Sequence, residues 1–224
     1  MRTFNGQFRT ICALCRAGAV GCIVVFTPWL SVSQAQVTTN ITGSDLNTTV
    51  VQDATTPTTW NIRGGTLSTG ETNLFHSFGD LSIGQGDTAL FQNLNAAGDA
   101  ALTTNAGNVS NIIGRVTGGT PSNIWGTINS QSGFPNANLF LINPAGIVFG
   151  PGASLNVGGS VHVSTADYLR LGTGNELFYA DLTRNSTLSS VPVTAFGFLG
   201  PNPVGAQAIE VINSAITIVI AGDR

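Results

Sequence analysis

Residues 138–165 alternate between short apolar runs and turns, in the sequence NLFLINPAGIVFGPGASLNVGGSVHVST. The apolar runs hold three or four residues and begin about seven residues apart. Runs this short are typical of β-strands and are too short for an average helix. The Asn-Gly and Asp-Gly pairs of two-residue hairpins are missing, so the pattern favours a solenoid whose coils stack on one another.

The same pattern continues through the chain from Gln36 onward, where no long stretch has apolar residues at helical spacing between caps. We therefore predict an all-β chain. If the strands stack as coils, Leu155 and Val157 point inward, while Ser154 and Asn156 face out. Strands are predicted at residues 47–52, 58–63, 73–78, 88–94, 111–117, 138–142, 146–150, 154–159 and 160–165.

Charged residues make up only 8% of the chain, which contains no Lys. Stacked strands lie about 4.8 Å apart, where like charges on neighbouring strands repel by roughly 1 kcal/mol in water. Thr, Ser and Asn stack without that cost, so the composition suits a stacked coil, although a β-sandwich could share it. The formal charge of -3 gives no footprint for nucleic acid.

The N-terminal 35 residues have the order of a secretory signal peptide. Arginines at positions 2, 9 and 16 precede an apolar run over residues 17–30, which is short for a bilayer span. In the following Ser33-Gln34-Ala35, Ser33 and Ala35 supply the small residues at the -3 and -1 positions of a cleavage site. We predict a signal peptide over 1–35, cut between Ala35 and Gln36.

All three cysteines lie in this leader, at Cys12, Cys15 and Cys22. Cys12 and Cys15 have CxxC spacing, but a redox motif needs a folded βαβ unit around it. The residues before Cys22 faintly resemble a lipoprotein cleavage site, but a cut there would leave an apolar mature terminus. Removal of the leader leaves no cysteine, so packing alone stabilises the exported chain.

No group of residues in the sequence has the spacing of a catalytic or metal site, and we predict neither an enzyme nor a cofactor. His162 alternates with Val161 and Val163, which predicts a solvated outer position. His76 lacks a nucleophile or metal-ligand partner at useful spacing. Trp60 and Trp125 are predicted to be core or capping residues.

The segment NLFLINPAGIVFGPGASLNVGGSVHVSTADYLRL resembles the N-terminal secretion domain of filamentous haemagglutinin-type proteins, the passengers of two-partner secretion (TPS). The family's Asn-Pro-Asn-Gly-Ile motif stands here as Asn143-Pro144-Ala145-Gly146-Ile147, with Ala145 in place of the usual Asn. The segments NLFHSF (73–78) and IIGRVTGGTPSNIWGTI (112–128) resemble the version common among cyanobacterial members. The family's second motif, Asn-Pro-Asn-Leu, has no clear counterpart.

The resemblance implies a right-handed single-stranded parallel β-helix with an N-terminal cap and small extra-helical β elements. It implies that the passenger crosses the periplasm unfolded and that a TpsB-type outer-membrane transporter recognises it through POTRA domains. The expected location is the surface of a Gram-negative-type bacterium, or the medium around it. A host or neighbouring-cell surface is a further candidate partner for such an adhesin-like protein.

The motif has two interpretations that remain open at this stage. Pro144 fixes φ at a corner, Gly146 permits a positive φ, and Ile147 restarts an inward-facing strand. Asn143 precedes a proline and is therefore biased toward a turn-initiating conformation. The motif either serves as a folding corner or is read by the transporter, and one turn could do both.

The resemblance covers about residues 37–199, so we expect a secretion domain over 36–199 and the start of a further coil over 200–224. Family passengers usually continue much further, which leaves a truncated product, a fragment or a free-standing export domain as alternatives. An open last coil would invite self-association. The rival functions are a β-helical polysaccharide lyase or hydrolase and a β-helical surface or matrix protein.

Overall fold

The structure is a computed structural model that describes residues 36–200, 208–212 and 217–219. The predicted leader, including Ala35 of its cleavage site, lies outside the described residues, and Gln36 is exposed. The described residues belong to one compact unit. None of the described residues belongs to a helix long and apolar enough to cross a membrane.

The described residues form eighteen β-strands and one short 3-10 turn, Ala106–Asn108, which confirms the all-β prediction. Each predicted apolar run coincides with a strand. The strands are β1 Asn40–Asp45, β2 Thr48–Gln52, β3 Thr59–Gly64, β4 Thr66–Leu67, β5 Asn73–Ser82, β6 Thr88–Phe91, β7 Asn111–Val116, β8 Ser122–Ile124, β9 Thr127–Asn129, β10 Asn138–Ile142, β11 Ile147–Phe149, β12 Ser154–Asn156, β13 Val161–Ser164, β14 Tyr168–Leu171, β15 Glu176–Tyr179, β16 Val193–Gly197, β17 Ile209–Val211 and β18 Thr217–Val219.

Most of these strands pair in parallel, in three sheets that the chain visits in turn. The first sheet contains β5, β7, β10 and β13, the second contains β8, β11 and β17, and the third contains β3, β6, β9, β12 and β18. Leu139 of β10 pairs with Val161 of β13 when the chain next returns to the first sheet. Short apolar runs can therefore form a large core, because each run packs beside its equivalent in the next passage of the chain.

Alternate residues of the three sheets face a common apolar core. Leu155 and Val157 belong to it and are 3% and 0% exposed, whereas Ser154 and Asn156 are only half-buried. The inward and outward positions predicted for β12 are therefore confirmed. Inward-facing residues of neighbouring strands lie side by side, so that Leu155 of β12 pairs with Ile128 of β9.

A second core lies on the other side of the first sheet. There Phe75, Ile113 and Phe140 pack with Leu169 and Phe178. The last two come from a small antiparallel sheet in which β14 lies between β15 and β16.

The first two strands of the described chain cover the starting edges of two parallel sheets. β1 pairs antiparallel with β5 of the first sheet, and β2 pairs antiparallel with β3 of the third sheet.

Candidate functional site

The Asn143–Ile147 motif forms the corner between β10 in the first sheet and β11 in the second. Its turn is closed by the backbone N–H of Gly146, which donates to the carbonyl oxygen of Asn143 at 3.0 Å. Gly146 has φ 116°, in the region that favours glycine, and Ile147 is fully buried at the start of β11. The conformations predicted for Gly146 and Ile147 are therefore confirmed.

The side chain of Asn143 is buried at this corner, with 1% exposure, and both of its polar atoms are engaged. Nδ2 donates to the carbonyl oxygen of Thr120 at 3.0 Å and to Oγ of Ser122 at 2.9 Å. Oδ1 accepts from the backbone N–H of Ala145 at 2.9 Å. The amide thus ties the turn to the preceding passage of the chain, a role suited to Asn because it both donates and accepts.

Pro144 and Ala145 are the half-buried part of the motif. They line a surface cleft of about 350 Å³ between the motif and the small antiparallel sheet. The remaining lining residues come from the β7–β8 connection and from the segments around β14, β15 and β16. They are Val116, Thr117, Gly119, Asp167, Ala180, Asp181, Arg184 and Leu199, and Asn143 of the motif also lines the cleft.

The cleft carries two carboxylates and one guanidinium. Asp167 accepts from the backbone N–H of Leu199 at 2.7 Å, which ties the segment after β16 to the cleft. Oδ2 of Asp181 lies 3.5 Å from Nε of Arg184, and both side chains are about half exposed. Hydrogen bonds from Thr183, and to a lesser degree the charge of Arg184, lower the pKa of Asp181, so this carboxylate is ionised at neutral pH.

One exposed apolar side chain lines the cleft, and two more belong to sequence neighbours of lining residues. Leu199 lines it and is 49% exposed, while Phe198 and Leu182, the sequence neighbours of Leu199 and Asp181, are 50% and 48% exposed. The other large apolar residues exposed to this degree in the described part of the chain lie elsewhere, on β2 and on or next to β17. Such grouping of exposed apolar residues is typical of interaction surfaces.

The two histidines lie on opposite faces of the first sheet, and neither lines the cleft. His162 lies on the outer face of the sheet, as its alternation with Val161 and Val163 predicted, but it is half-buried because its ring stacks on Phe140 with centroids 4.4 Å apart. His76 is buried between Phe78 and Phe91, and its Nδ1 lies 3.2 Å from Oγ1 of Thr48. Burial lowers the pKa of His76 to about 3.

The two tryptophans within the described residues contribute to packing. Trp60 packs against the inner core, as predicted. Trp125 lies against Gly150, where a Cβ atom would come within 2.2 Å of the indole Nε1, so this corner requires glycine. Within the described ranges, no three His, Cys, Asp or Glu residues are grouped as a metal site would need.

Sequence reasoning singled out the turn but missed the cleft beside it. Asp167, the Asp181–Arg184 pair and Leu199 come from three separate segments and have no motif spacing. The one local indication was the exposed apolar pair Phe198–Leu199, which stands directly before the Pro-rich stretch GPNPVG.

The three parallel sheets and the buried corner motif define a class of all-β protein in which successive passages of the chain stack. A family model described as the TPS secretion domain matches residues 35–221, well over half of the chain. The chain therefore belongs to the TPS secretion domain family, whose members engage a TpsB outer-membrane transporter in two-partner secretion. No curated protein and no solved structure matches the chain.

Proposed function

We propose that this chain is the N-terminal secretion domain of a filamentous haemagglutinin-like exoprotein. It targets its passenger to a TpsB-type outer-membrane transporter through the periplasmic POTRA domains of that transporter. The observation that carries this proposal is the TPS secretion domain match over residues 35–221. The protein acts by shape and recognition and is not an enzyme.

The fold that serves this function is a right-handed parallel β-helix. The proposal is supported by the order in which β10, β11, β12 and β13 visit the first, second, third and again the first sheet. The hand follows from the strong general preference of parallel strand crossovers for right-handed connections. Because each new coil packs on a finished one, the first coils at the N-terminal end nucleate folding at the cell surface.

The route begins with a signal peptide over residues 1–35, which is removed between Ala35 and Gln36. The secretion domain then spans 36–199, and 200–224 begins a further coil. The mature chain has no cysteine, so no disulfide can form in the periplasm and block passage through a narrow barrel. The exported protein resides at the cell surface or in the medium and serves adhesion to a host or neighbouring cell.

The C-terminal strands provide a second contact surface. Ile209 and Val211 pair with Ile147 and Phe149, yet they are 46% and 54% exposed where their partners are buried. Ile209 and Val211 therefore lie beside inward-facing residues of β11, while their own side chains are exposed to solvent. Exposed apolar side chains of this kind favour self-association through β17.

Binding of residues 36–224 to the purified POTRA domains of the cognate transporter tests the targeting proposal. We expect saturable binding in the micromolar range or tighter, as for other specific transient complexes. The periplasmic domains of an unrelated outer-membrane assembly protein serve as the control and should not bind. Equal binding to both, or binding to neither, would contradict the proposal.

A further inference from the structure

The connection between β15 and β16, residues 181–192, lies on the side of the first sheet that carries the second core, and we call it the strap. Nδ2 of Asn73, on β5, donates to the carbonyl oxygen of Ser189 at 2.8 Å and to that of Val191 at 2.9 Å. These hydrogen bonds join residues that are 116 and 118 positions apart in the chain. The strap is therefore bound to the first parallel strand of the first sheet.

The strap is also linked to the turn between β1 and β2 by the buried guanidinium of Arg115, on β7. Nη1 donates to Oγ of Ser186 in the strap at 3.1 Å, while Nη2 pairs with Asp45 at the end of β1 at 3.1 Å. Leu46 follows in the turn and packs against the second core, as does Leu188 of the strap. The strap and the N-terminal turn thus share one cation and one apolar core.

The backbone of Leu46 depends on this packing. Its φ of 57° lies in the left-handed region, which is unfavourable for a bulky side chain. Such a conformation persists only where the surrounding structure holds it. Because Leu46, Leu188 and Val191 pack against the same core, closure of the strap completes the surroundings that hold the β1–β2 turn.

The binding site of the strap exists only after the coils beneath it have formed. Asn73 and Arg115 are on different strands, and they are brought together when β5 pairs with β7. Phe178 of β15, just before the strap, packs on Phe75 of β5 with ring centroids 5.1 Å apart, and shares its core with Phe140 of β10. Contacts between residues so far apart in sequence form late, because loop closure costs entropy before the contact is made.

We propose that the strap closes last and locks the finished domain. Closure holds the β1–β2 turn and the segment before β16 against the same sheet, so the N-terminal end detaches only after the strap has opened. The role of this lock in export rests on the proposed function. Once the residues up to Val191 are outside the cell, the closed strap keeps the coils from unwinding back into the transporter.

Thiol labelling of the mature chain, residues 36–224, tests the order of closure. This chain has no cysteine, so Ala166→Cys or Ala89→Cys introduces one thiol at a time. Both alanines are 0% exposed, but Ala166 belongs to the second core and Ala89 to the inner core. During refolding from urea, we expect position 89 to become protected from a thiol reagent before position 166. Protection of both at one rate, or of position 166 first, would overturn the proposal.

Ser186→Ala tests the strap itself in the folded chain. The change removes the oxygen that accepts from Nη1 of Arg115 and from the backbone N–H of Tyr179. We expect the thiol at position 166 to react about ten times faster, as for the loss of a buried hydrogen-bond acceptor, and the thiol at position 89 to keep its rate. Equal acceleration at both positions, or at neither, would overturn the strap as a lock.

Asn185→Ala, at the exposed neighbouring position, is the matched control and should change neither labelling rate. Leu188→Ala removes an apolar side chain of the strap from the second core and should act as Ser186→Ala does, which preserves the test if one variant fails to fold. The assay contains no transporter. A chain that is exported but shows no late closure overturns the lock alone, whereas late closure in a chain that the transporter does not export overturns the targeting proposal and leaves the order of folding intact.

Discussion

The amide of Asn143 donates to the hydroxyl of Ser122 across 2.9 Å, although the two residues belong to successive passages of the chain. The strands beside them are in register, since Ile147 pairs with Ser122. The corner motif is thus held by the passage before it. This relationship gives the motif a structural role in the folded chain.

Asn143→Ala should therefore destabilise the protein. The change leaves the carbonyl oxygen of Thr120 and the hydroxyl of Ser122 without this donor in a buried corner, which costs about 1–3 kcal/mol. Urea unfolding followed by circular dichroism measures the loss. Asn185→Ala, at an exposed position, is the control and should leave the free energy of unfolding unchanged. Equal stability of the two variants would contradict the structural role.

The asparagine ladder on the first sheet gives a second prediction. Asn111 donates to Oδ1 of Asn73 at 2.8 Å, and Asn138 donates to Oδ1 of Asn111 at 3.0 Å. Asn111→Ala breaks both bonds at a position that is 8% exposed, and should cost about 1–3 kcal/mol of unfolding free energy. Differential scanning calorimetry should show a lower Tm. An unchanged Tm would mean that the ladder contributes no net stability.

Arg115 provides a third prediction, because one guanidinium joins three parts of the fold. Nε donates to Ser77 at 2.8 Å, Nη1 donates to the carbonyl oxygen of Tyr179 at 2.7 Å, and Nη2 pairs with Asp45 at 3.1 Å. Arg115→Met should cost about 2–4 kcal/mol, since buried acceptors lose their donor. Asp45→Asn should cost less than about 1 kcal/mol, because the Asp45 side chain is 55% exposed.

Hydrogen exchange distinguishes the linking role of Arg115 from a general loss of stability. Arg115→Met should speed exchange in β1 and in β15, the two elements that the guanidinium ties to the first sheet, more than in β12. Uniform acceleration across all strands would contradict a specific link between these elements.

His76 predicts a pH dependence of stability. Burial lowers its pKa to about 3 in the folded chain, whereas an unfolded histidine titrates near 6.5. The unfolded chain therefore binds more protons between these values, and stability rises with pH in that window. The stabilising contribution of neutral His76 is fully present above pH 6.5. Below that value it falls by at most about 1.4 kcal/mol for each pH unit, until His76 is protonated in the folded chain near pH 3.

The measurement compares the wild type with His76→Phe between pH 7 and pH 5, where the carboxylates change little. Phenylalanine retains the aromatic packing against Phe78 and Phe91 but cannot bind a proton. The free energy of unfolding of the wild type should fall relative to this variant as the pH is lowered. Parallel pH profiles for the two proteins would contradict the assignment.

Local patterns predicted the strands and the corner well, because both depend on neighbouring residues. The alternation around Leu155 was enough to assign its burial, and Pro144 with Gly146 was enough to predict the turn. The strand pattern did not locate β14, β15 and β16, although the resemblance implied small extra-helical β elements; their inner face packs on the outside of the first sheet. For the same reason His162 was expected in solvent, since its contact with Phe140 depends on strand register between passages.

The cleft could not be predicted from the sequence, because its residues converge only after folding. Asp167 contributes a carboxylate from the turn before β14, and Leu199 reaches it from the end of β16 through a backbone hydrogen bond. Neither Asp167 nor Leu199 lies in a sequence motif that would identify it as part of a cleft. Long-range contacts of this kind carry no local periodicity.

Export in a Gram-negative host with and without the cognate transporter tests the central claim most directly. The full chain is expressed in both strains, and the medium, cell surface and periplasm are assayed for it. We expect the chain to reach the surface or medium only when the transporter is present, and otherwise to remain in the periplasm. Equal amounts outside the cells of both strains, or retention in both, would contradict it.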